Sequence, residues 1–210
     1  MEVSRQQQYY KTIIDFLDRN NVAYKTVHHE PTFTSEESAR VRGVPLSTGG
    51  KALLLKIGDG NNDGNDNDND NGNDNGNFAL FVMSASLKLN SKAIKKELKS
   101  KGKAVSKNIR FATIEELAEL TKGLVPGCVP PFGKPVLKID HGGDDRGNGD
   151  AGDGKDDDDE YLKLYVDTSI AEENETIAFN AGSLTDSVIM SVQDYIRISA
   201  PTGIFTFSKR

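Results

Sequence analysis

The spacing of apolar residues along the chain predicts short helices and short strands. In several segments apolar side chains recur every three to four positions, which is the period of an amphipathic helix. Thr34 and Thr113 each precede a glutamate by three positions, a spacing typical of a capping box at a helix start. Helices are therefore predicted at 4–20, 34–43, 91–101, 113–120 and 191–198.

The strand predictions come from two other patterns. Residues 51–57 and 78–84 are almost continuously apolar, which is typical of strands buried on both faces. Residues 22–29 alternate apolar and polar side chains, and further strands are predicted at 134–139, 161–167, 175–182 and 185–191. Because strands and short helices interleave without the regular alternation of a doubly wound sheet, the predicted fold class is α+β with a central mixed sheet or barrel.

Composition limits the number of domains and the kinds of site. A chain of 210 residues, 36% of them hydrophobic, can bury one sizeable core, so a single domain over residues 1–210 is expected. No stretch approaches the roughly 20 apolar residues of a membrane span, and the first residues do not resemble a signal peptide, so a cytoplasmic protein is expected. One cysteine and three scattered histidines predict no disulfide and no metal site.

The negative charge is concentrated in two tracts rich in Asp, Asn and Gly. Residues 58–77 carry a net charge of −6 and residues 144–160 carry −7, so a chain of net charge −6 retains +7 elsewhere. Both tracts lack the apolar side chains needed to offset the entropy of ordering, and apolar runs flank each of them. They are predicted to be disordered insertions between strands, either without function or acting as acidic arms that screen the basic remainder.

Residues 123–133, GLVPGCVPPFG, contain three glycines and three prolines. Proline restricts the backbone and glycine lets it approach a ligand closely, so this loop is predicted to form a stiff pocket wall. A rigid connector between a helix and a strand is the alternative.

Several motifs resemble one family, that of the YbaK and prolyl-tRNA-synthetase-associated editing domains. The loop TKGLVPGCVPPFG is similar to the family's glycine- and proline-rich signature, and GGKALLLK is similar to its invariant-lysine strand. The segments HEPTFTSEESA, NIRFATIEELAELTKG, LYVDTSI and IAFNAGSLTDSVIMSVQDYIRI follow in family order. The resemblance runs from about residue 5 to residue 200, interrupted only by the acidic tracts.

The resemblance implies a mixed, barrel-like sheet flanked by helices. It also implies an aminoacyl-tRNA deacylase that hydrolyses the ester of a mischarged tRNA, with alanine, cysteine or a similar small residue on tRNA(Pro) as the expected substrate. The partners it implies are tRNA and an aminoacyl-tRNA synthetase to which the protein could dock. No metal or organic cofactor is implied.

The same resemblance assigns site residues. Lys51 corresponds to the family's functional lysine and would bind the terminal adenosine or stabilise charge on the scissile ester. Gly127 and Gly133 would offer backbone N–H groups to the ester carbonyl. The residues implied in binding the aminoacyl group are His29, Cys128, Pro131, Phe132, Asn180 and Gly182.

Some of these assignments have alternatives in the sequence itself. Cys128 could be a thiol nucleophile or a small residue lining the pocket. His29 could be a structural histidine, and Lys51 a solvent-facing lysine at a strand end. Asn180 departs from the histidine that some alanine-specific members carry, so alanine specificity does not transfer directly.

The helix at 91–101 is the most basic predicted element. Its lysines either contact tRNA phosphates or form a solvated face; they are Lys92, Lys95, Lys96 and Lys99. The sequence is therefore compatible with three functions: a trans-acting deacylase, a non-catalytic tRNA-binding or synthetase-docking module, and a small-ester or thioester hydrolase that uses Cys128.

Overall fold

The computed structural model describes residues 4–58, 77–102, 109–139 and 161–210. The helices in this part of the chain are α1 Arg5–Arg19, α2 Ser35–Arg42, α3 Ser91–Ser100, α4 Ile114–Leu120, α5 Thr168–Ala171 and α6 Val192–Ser199, and a 3-10 helix spans Leu46–Thr48. The strands are β1 Tyr24–His28, β2 Gly50–Ile57, β3 Asn77–Ser84, β4 Lys88–Leu89, β5 Ile109–Phe111, β6 Lys163–Val166, β7 Thr176–Asn180, β8 Asp186–Ser191, β9 Gly203–Ile204 and β10 Ser208–Lys209.

The predicted capping boxes are present at the starts of α2 and α4. The Thr34 hydroxyl accepts from the Glu37 N–H, and the Glu37 carboxylate accepts from the Thr34 N–H. Thr113 and Glu116 make the same reciprocal pair. Gly43 ends α2 with a φ of 68°, a left-handed conformation that glycine adopts without steric cost. Within the described ranges, no helix has the length and apolar character needed to cross a bilayer.

The described residues form three sheets, and the largest is mixed as predicted. Its strand order is β5-β2-β3-β6-β9, with β3, β6 and β9 parallel and the other pairs antiparallel. The antiparallel sheet β1-β8-β7 and the pair β10-β4 complete the set. The predicted barrel does not close among the described residues; a single parallel bridge between Gly49 and Ala178 joins the two larger sheets.

Two glycines allow close packing around this junction. A side chain at Gly50 would place its Cβ 2.7 Å from Cδ1 of Ile177, and one at Gly49 would lie 2.9 Å from Cβ of Ala85. Both distances are shorter than van der Waals contact. Gly50 therefore lets β7 approach the start of β2, where the candidate site lies, and Gly49 lets the chain that follows β3 pack against it.

The strand predicted at 134–139 is wrong apart from one bridge. The N–H groups of Val136 and Leu137 both donate to the Gly133 carbonyl and form a turn, and only Lys138 pairs with Tyr161. Proline at position 135 lacks the N–H that a ladder requires. The elements that sequence analysis missed in the described chain are two to four residues long: the 3-10 helix at Leu46–Thr48, α5, β4, β5, β9 and β10.

The two acidic tracts fall almost entirely outside the described residues. On either side of the first tract, β2 and β3 pair antiparallel with Ile57 opposite Asn77. The second tract is flanked by the Lys138–Tyr161 bridge. Both tracts therefore connect segments that lie side by side, and their predicted disorder stays a prediction.

The main core lies between the sheets and is centred on an aromatic cluster. The ring of Phe132 makes edge contacts with the rings of Phe16, Phe179 and Tyr195 at centroid distances of 5.4 to 5.7 Å. The Tyr195 hydroxyl donates to the Pro131 carbonyl at 2.9 Å. The Gly/Pro-rich loop is therefore anchored from inside the core.

Cys128 lies in the same core and is fully buried. Burial raises the pKa of its thiol to about 11, although a backbone hydrogen bond to Val125 acts in the opposite direction. Because the thiolate is the reactive form, such a thiol is a poor nucleophile near neutral pH.

We expect Cys128 in the native protein to react with iodoacetamide at pH 8 about 100-fold or more slowly than in the urea-unfolded chain, because only roughly one thiol in a thousand is ionised and the sulfur is covered. Labelling followed by mass spectrometry measures both rates. Fast labelling of the native protein would reopen the thiol-nucleophile hypothesis.

Candidate active site

A cavity of about 400 Å³ opens where α2, the start of β2, the end of β5 and the Gly/Pro-rich loop meet. Three of the residues assigned from the sequence line it together: Lys51, Gly127 and Asn180. Sequence analysis missed other residues that line it, among them Thr32, Phe33, Ser38, Arg42 and Phe111.

Lys51 lies one residue inside β2, opposite Met83 of β3. Its side chain is half-buried, and Nζ donates a hydrogen bond to the Leu87 carbonyl at 3.1 Å. Burial lowers the pKa of Lys51, and the nearby carboxylate of Glu36 opposes part of this shift. Lys51 is therefore a positioned, partly desolvated cation rather than a free surface lysine.

Arg42, at the last position of α2, places a second cation on the cavity wall. The residue is only 9% exposed, and its guanidinium donates to the Ser187 hydroxyl at 2.8 Å, to Oδ1 of Asn180 at 2.5 Å and to the Ala178 carbonyl at 3.4 Å. Burial lowers its pKa to about 10, so the side chain stays charged at neutral pH. No carboxylate of the described residues forms an ion pair with it.

A buried cation without an acidic partner is costly to desolvate, and its hydrogen bonds offset only part of that cost. Arg42 belongs to the buried face of α2 with Ser38 and Ala39. In the sequence SEESARVR it looks like another charged residue of a polar helix. Only the tertiary contacts reveal that it is buried.

Asn180 connects this guanidinium to the Gly/Pro-rich loop. Its Oδ1 accepts from Arg42 and, at 3.2 Å, from Ser187, while its Nδ2 donates to the Gly127 carbonyl at 2.7 Å. Since oxygen must face the guanidinium, these contacts determine the orientation of the amide. The position that departs from histidine thus holds the loop in place against α2.

His29 lies one contact behind the cavity wall and does not line it. Its Nδ1 is 2.8 Å from the Glu30 carbonyl, and its Nε2 is 2.7 Å from the Ser187 hydroxyl. Because a carbonyl only accepts, Nδ1 carries the hydrogen of that contact. The Ser187 hydroxyl has one hydrogen, which its contacts with Nε2 of His29 and Oδ1 of Asn180 share. Ser187 therefore joins His29, Arg42 and Asn180 in one network.

The Gly/Pro-rich loop contributes one face to the cavity and the other to the core. Pro126, Gly127 and Val129 line the cavity, and Gly127 has a φ of 89°, which favours glycine. Cys128 and Phe132 are fully buried in the core behind it, so the expectation that they line the pocket is corrected.

Pro131, Gly133 and Gly182 also lie away from the cavity lining. The carbonyl of Pro131 accepts from Tyr195 in the core. A Cβ at Gly133 would lie 2.2 Å from the Leu162 carbonyl oxygen, so this glycine is required by packing. Gly182, with a φ of 75°, packs against α1, and its role is conformational.

The basic helix α3 does not contribute to the cavity lining. Ile94 and Leu98 bury its apolar face, while Lys92, Lys96 and Lys99 are exposed and Lys95 is partly covered. The helix therefore presents a charged face outside the site.

The cavity offers cations and hydroxyl groups for chemistry on an oxygen-rich substrate. Lys51 and Arg42 are positioned to stabilise negative charge, and Thr32 and Ser38 form a buried hydroxyl pair with their oxygens 2.9 Å apart. No histidine or carboxylate is found among the described lining residues. Nor does the described part of the chain contain three or more His, Cys, Asp or Glu side chains grouped as metal ligands.

A comparison with curated proteins finds two similar relatives. The multifunctional Ser/Thr-tRNA deacylase ProXp-y of Escherichia coli K12 is 27% identical over 201 residues, covering 95% of this chain and 93% of the relative. The protein of the same name from Escherichia coli O157:H7 matches with the same identity and coverage.

Solved structures share the fold at low identity. The crystal structure of hypothetical protein APE2540 has a TM-score of 0.62 at 18% identity and covers 94% of this chain and 99% of its own. A protein proposed as a trans-editing enzyme for prolyl-tRNA synthetase has a TM-score of 0.61 at 16% identity and covers all of both chains. These two likenesses support the mixed α+β fold.

The family comparison agrees with the motifs and with the cavity they surround. The model of the aminoacyl-tRNA editing domain matches residues 29–198, well over half of the chain. That span contains Lys51, Arg42, Gly127 and Asn180, all of which line the cavity. The chain therefore belongs to the aminoacyl-tRNA editing domain family and is an enzyme of the aminoacyl-tRNA deacylase class.

Proposed function

We propose that the protein is a trans-acting deacylase that removes a small amino acid from mischarged tRNA. Serine and threonine are the substrates that we favour. The observation that carries this proposal is that Lys51 and Arg42 line one cavity beside the Gly127 loop. The name of the Escherichia coli relatives supports serine and threonine. Alanine or cysteine on tRNA(Pro), which the motifs imply, is the competing substrate, and association with a synthetase stays a prediction.

The reaction requires stabilisation of charge on the substrate and needs no side-chain nucleophile. A water oxygen attacks the ester carbon, and the carbonyl oxygen becomes negatively charged. Lys51 and Arg42 stabilise that oxygen because their charges are already in place in a partly dry site. The carbonyl re-forms as the ester C–O bond breaks, and the ribose oxygen that leaves takes the proton that the attacking water gives up, with the neighbouring ribose hydroxyl relaying it.

The hydroxyl pair gives a physical basis for choosing a side chain that carries an O–H group. Ser38 donates to the Thr34 carbonyl at 3.0 Å, so the Thr32 hydroxyl donates to Ser38 and keeps an oxygen lone pair free to accept. A seryl or threonyl hydroxyl can donate to this acceptor, whereas an alanyl side chain cannot. Sites that bind a substrate hydroxyl discriminate strongly against analogues without one.

We expect Lys51→Ala to reduce kcat for seryl-tRNA hydrolysis about 10²- to 10³-fold, because it removes a cation that stabilises the oxyanion. The measurement is deacylation of tRNA(Pro) and tRNA(Thr) charged separately with serine, threonine, alanine, cysteine and proline. Activity that uses the ammonium form falls as pH rises through the folded pKa of Lys51, which is lowered from 10.5.

Lys25→Ala is the matched control, since this exposed lysine of β1 does not line the cavity. Full activity of Lys51→Ala would contradict the mechanism. Failure of the wild type to hydrolyse any ester, with salt-dependent tRNA binding retained, would favour a non-catalytic tRNA-binding module.

We expect Arg42→Met to reduce kcat about 10²-fold and to change the free energy of unfolding by only about 1–2 kcal/mol. Methionine fills a similar volume and removes the cost of burying a cation that has no carboxylate partner among the described residues, but it leaves the Ser187 hydroxyl and Oδ1 of Asn180 without their donor. Urea unfolding and single-turnover kinetics measure the two effects, and Arg42→Lys should restore part of the rate. A loss of stability with an unchanged rate per folded molecule would assign Arg42 a structural role only.

We propose that the exposed lysines of α3 contact tRNA phosphates outside the cavity. Lys96→Glu and Lys99→Glu should weaken tRNA binding and lower its salt slope by about one per lost contact. Hydrolysis of a seryl ester of free adenosine should not change, because that substrate lacks the phosphates. If Lys25→Glu weakened tRNA binding equally, the effect of the α3 variants would be due to net charge alone.

A further inference from the structure

Most of the large apolar side chains exposed in the described chain gather around the cavity. There are five: Phe33, Phe111, Ile114, Val125 and Ile204. Phe33 and Phe111 line the cavity directly, while Ile114 and Val125 lie within two residues of lining positions. Only Ile204, on β9, is distant in sequence from the lining. Scattered exposed apolar residues need no explanation, but a cluster at a cavity indicates a ligand.

The backbone of each phenylalanine is anchored by hydrogen bonds or strand pairing. Phe33 is 78% exposed, and its N–H donates to the Glu37 carboxylate at 2.9 Å as an extension of the α2 capping box. Phe111 is 57% exposed and pairs with Leu55 across β5 and β2. The backbone is therefore anchored at both lining residues, while their rings face solvent.

The anchoring of Phe111 is reinforced by an ion pair. Arg110 makes two hydrogen bonds of 2.7 Å to the Glu116 carboxylate, which ties β5 to the start of α4. Hydrogen bonding to Arg110 is the largest cause that lowers the pKa of Glu116 to about 2, although burial opposes it, so the pair persists across the neutral range.

We propose that Phe33 and Phe111 form a stacking site for the unpaired 3′-terminal adenine of tRNA. This inference rests on the proposed function, because the ester and the adenine are carried by the same ribose. An ester inside the cavity places the base at its rim, where both rings lie. Aromatic side chains beside cationic groups are the usual means of holding single-stranded nucleic acid, and Lys51 and Arg42 supply the cations.

A stacking site depends on the aromatic face and not on apolar area alone. The probe is an uncharged RNA hairpin whose single-stranded 3′ end carries 2-aminopurine in place of the terminal adenine, a base whose fluorescence falls when it stacks. We expect Phe33→Leu and Phe111→Leu each to weaken binding about 5- to 150-fold and to reduce the quenching. Phe111→Trp should retain both, and Ile204→Ala should match the wild type.

Hydrolysis gives the second measurement. Phe111→Leu should lower kcat/KM for seryl-adenosine by a similar factor, and the ratio of kcat/KM for seryl-adenosine to that for serine ethyl ester should fall with it, because only the first ester carries a base. Equal losses on both esters, or none on either, would overturn the proposal. Full binding and quenching in the leucine variants would also overturn it and would favour an apolar protein partner at the rim.

The two proposals can fail separately. Quenching that depends on the aromatic rings, without hydrolysis of any ester, would support the stacking site and contradict the deacylase proposal. Hydrolysis without such quenching would do the reverse. A third outcome is that adenosine monophosphate displaces the 2-aminopurine hairpin whereas an unlabelled hairpin does not. That result would assign the rings to a free nucleotide and overturn the assignment to tRNA.

Discussion

The structure of the site depends on one buried cation, the guanidinium of Arg42. Its hydrogen bonds to Ser187, Asn180 and the Ala178 carbonyl connect α2 to β7 and β8, and Asn180 extends the connection to Gly127. If this guanidinium were absent, the Asn180 amide would lose the contact that determines its orientation. The wall of the cavity is therefore positioned by electrostatics, whereas the core behind it is positioned by packing.

Sequence reasoning succeeded where a local rule decides the structure. The threonine caps of α2 and α4 follow from a four-residue pattern, and the apolar runs of β2 and β3 follow from burial on both faces. It failed at residues 134–139, where the tertiary turn onto Gly133 outweighs an apolar pattern that a strand would share. It also missed strands of two or three residues, because so few positions define no period.

Sequence reasoning also placed some residues of the candidate site correctly and others wrongly. Family motifs brought Lys51, Gly127 and Asn180 to one cavity. They placed Cys128 and Phe132 in the wrong layer, because a sequence motif does not show which side chains of a loop face the core. Arg42 and Phe33 could not be found from spacing, since the first resembles a solvated charge and the second a core residue. Each occupies the environment opposite to the one its type prefers.

The buried position of Arg42 and the exposed position of Phe33 have a common physical meaning. A buried cation without a carboxylate partner in the described chain opposes folding, and a phenylalanine that is 78% exposed gains little from it; both residues lie on the lining of the same cavity. Local rules are usually violated where a site must be ready for a ligand before the ligand arrives. An ester oxygen that gains charge and a base that lacks its stacking neighbour would satisfy the two residues together. A single ribose that carries both groups is the simplest ligand to do so.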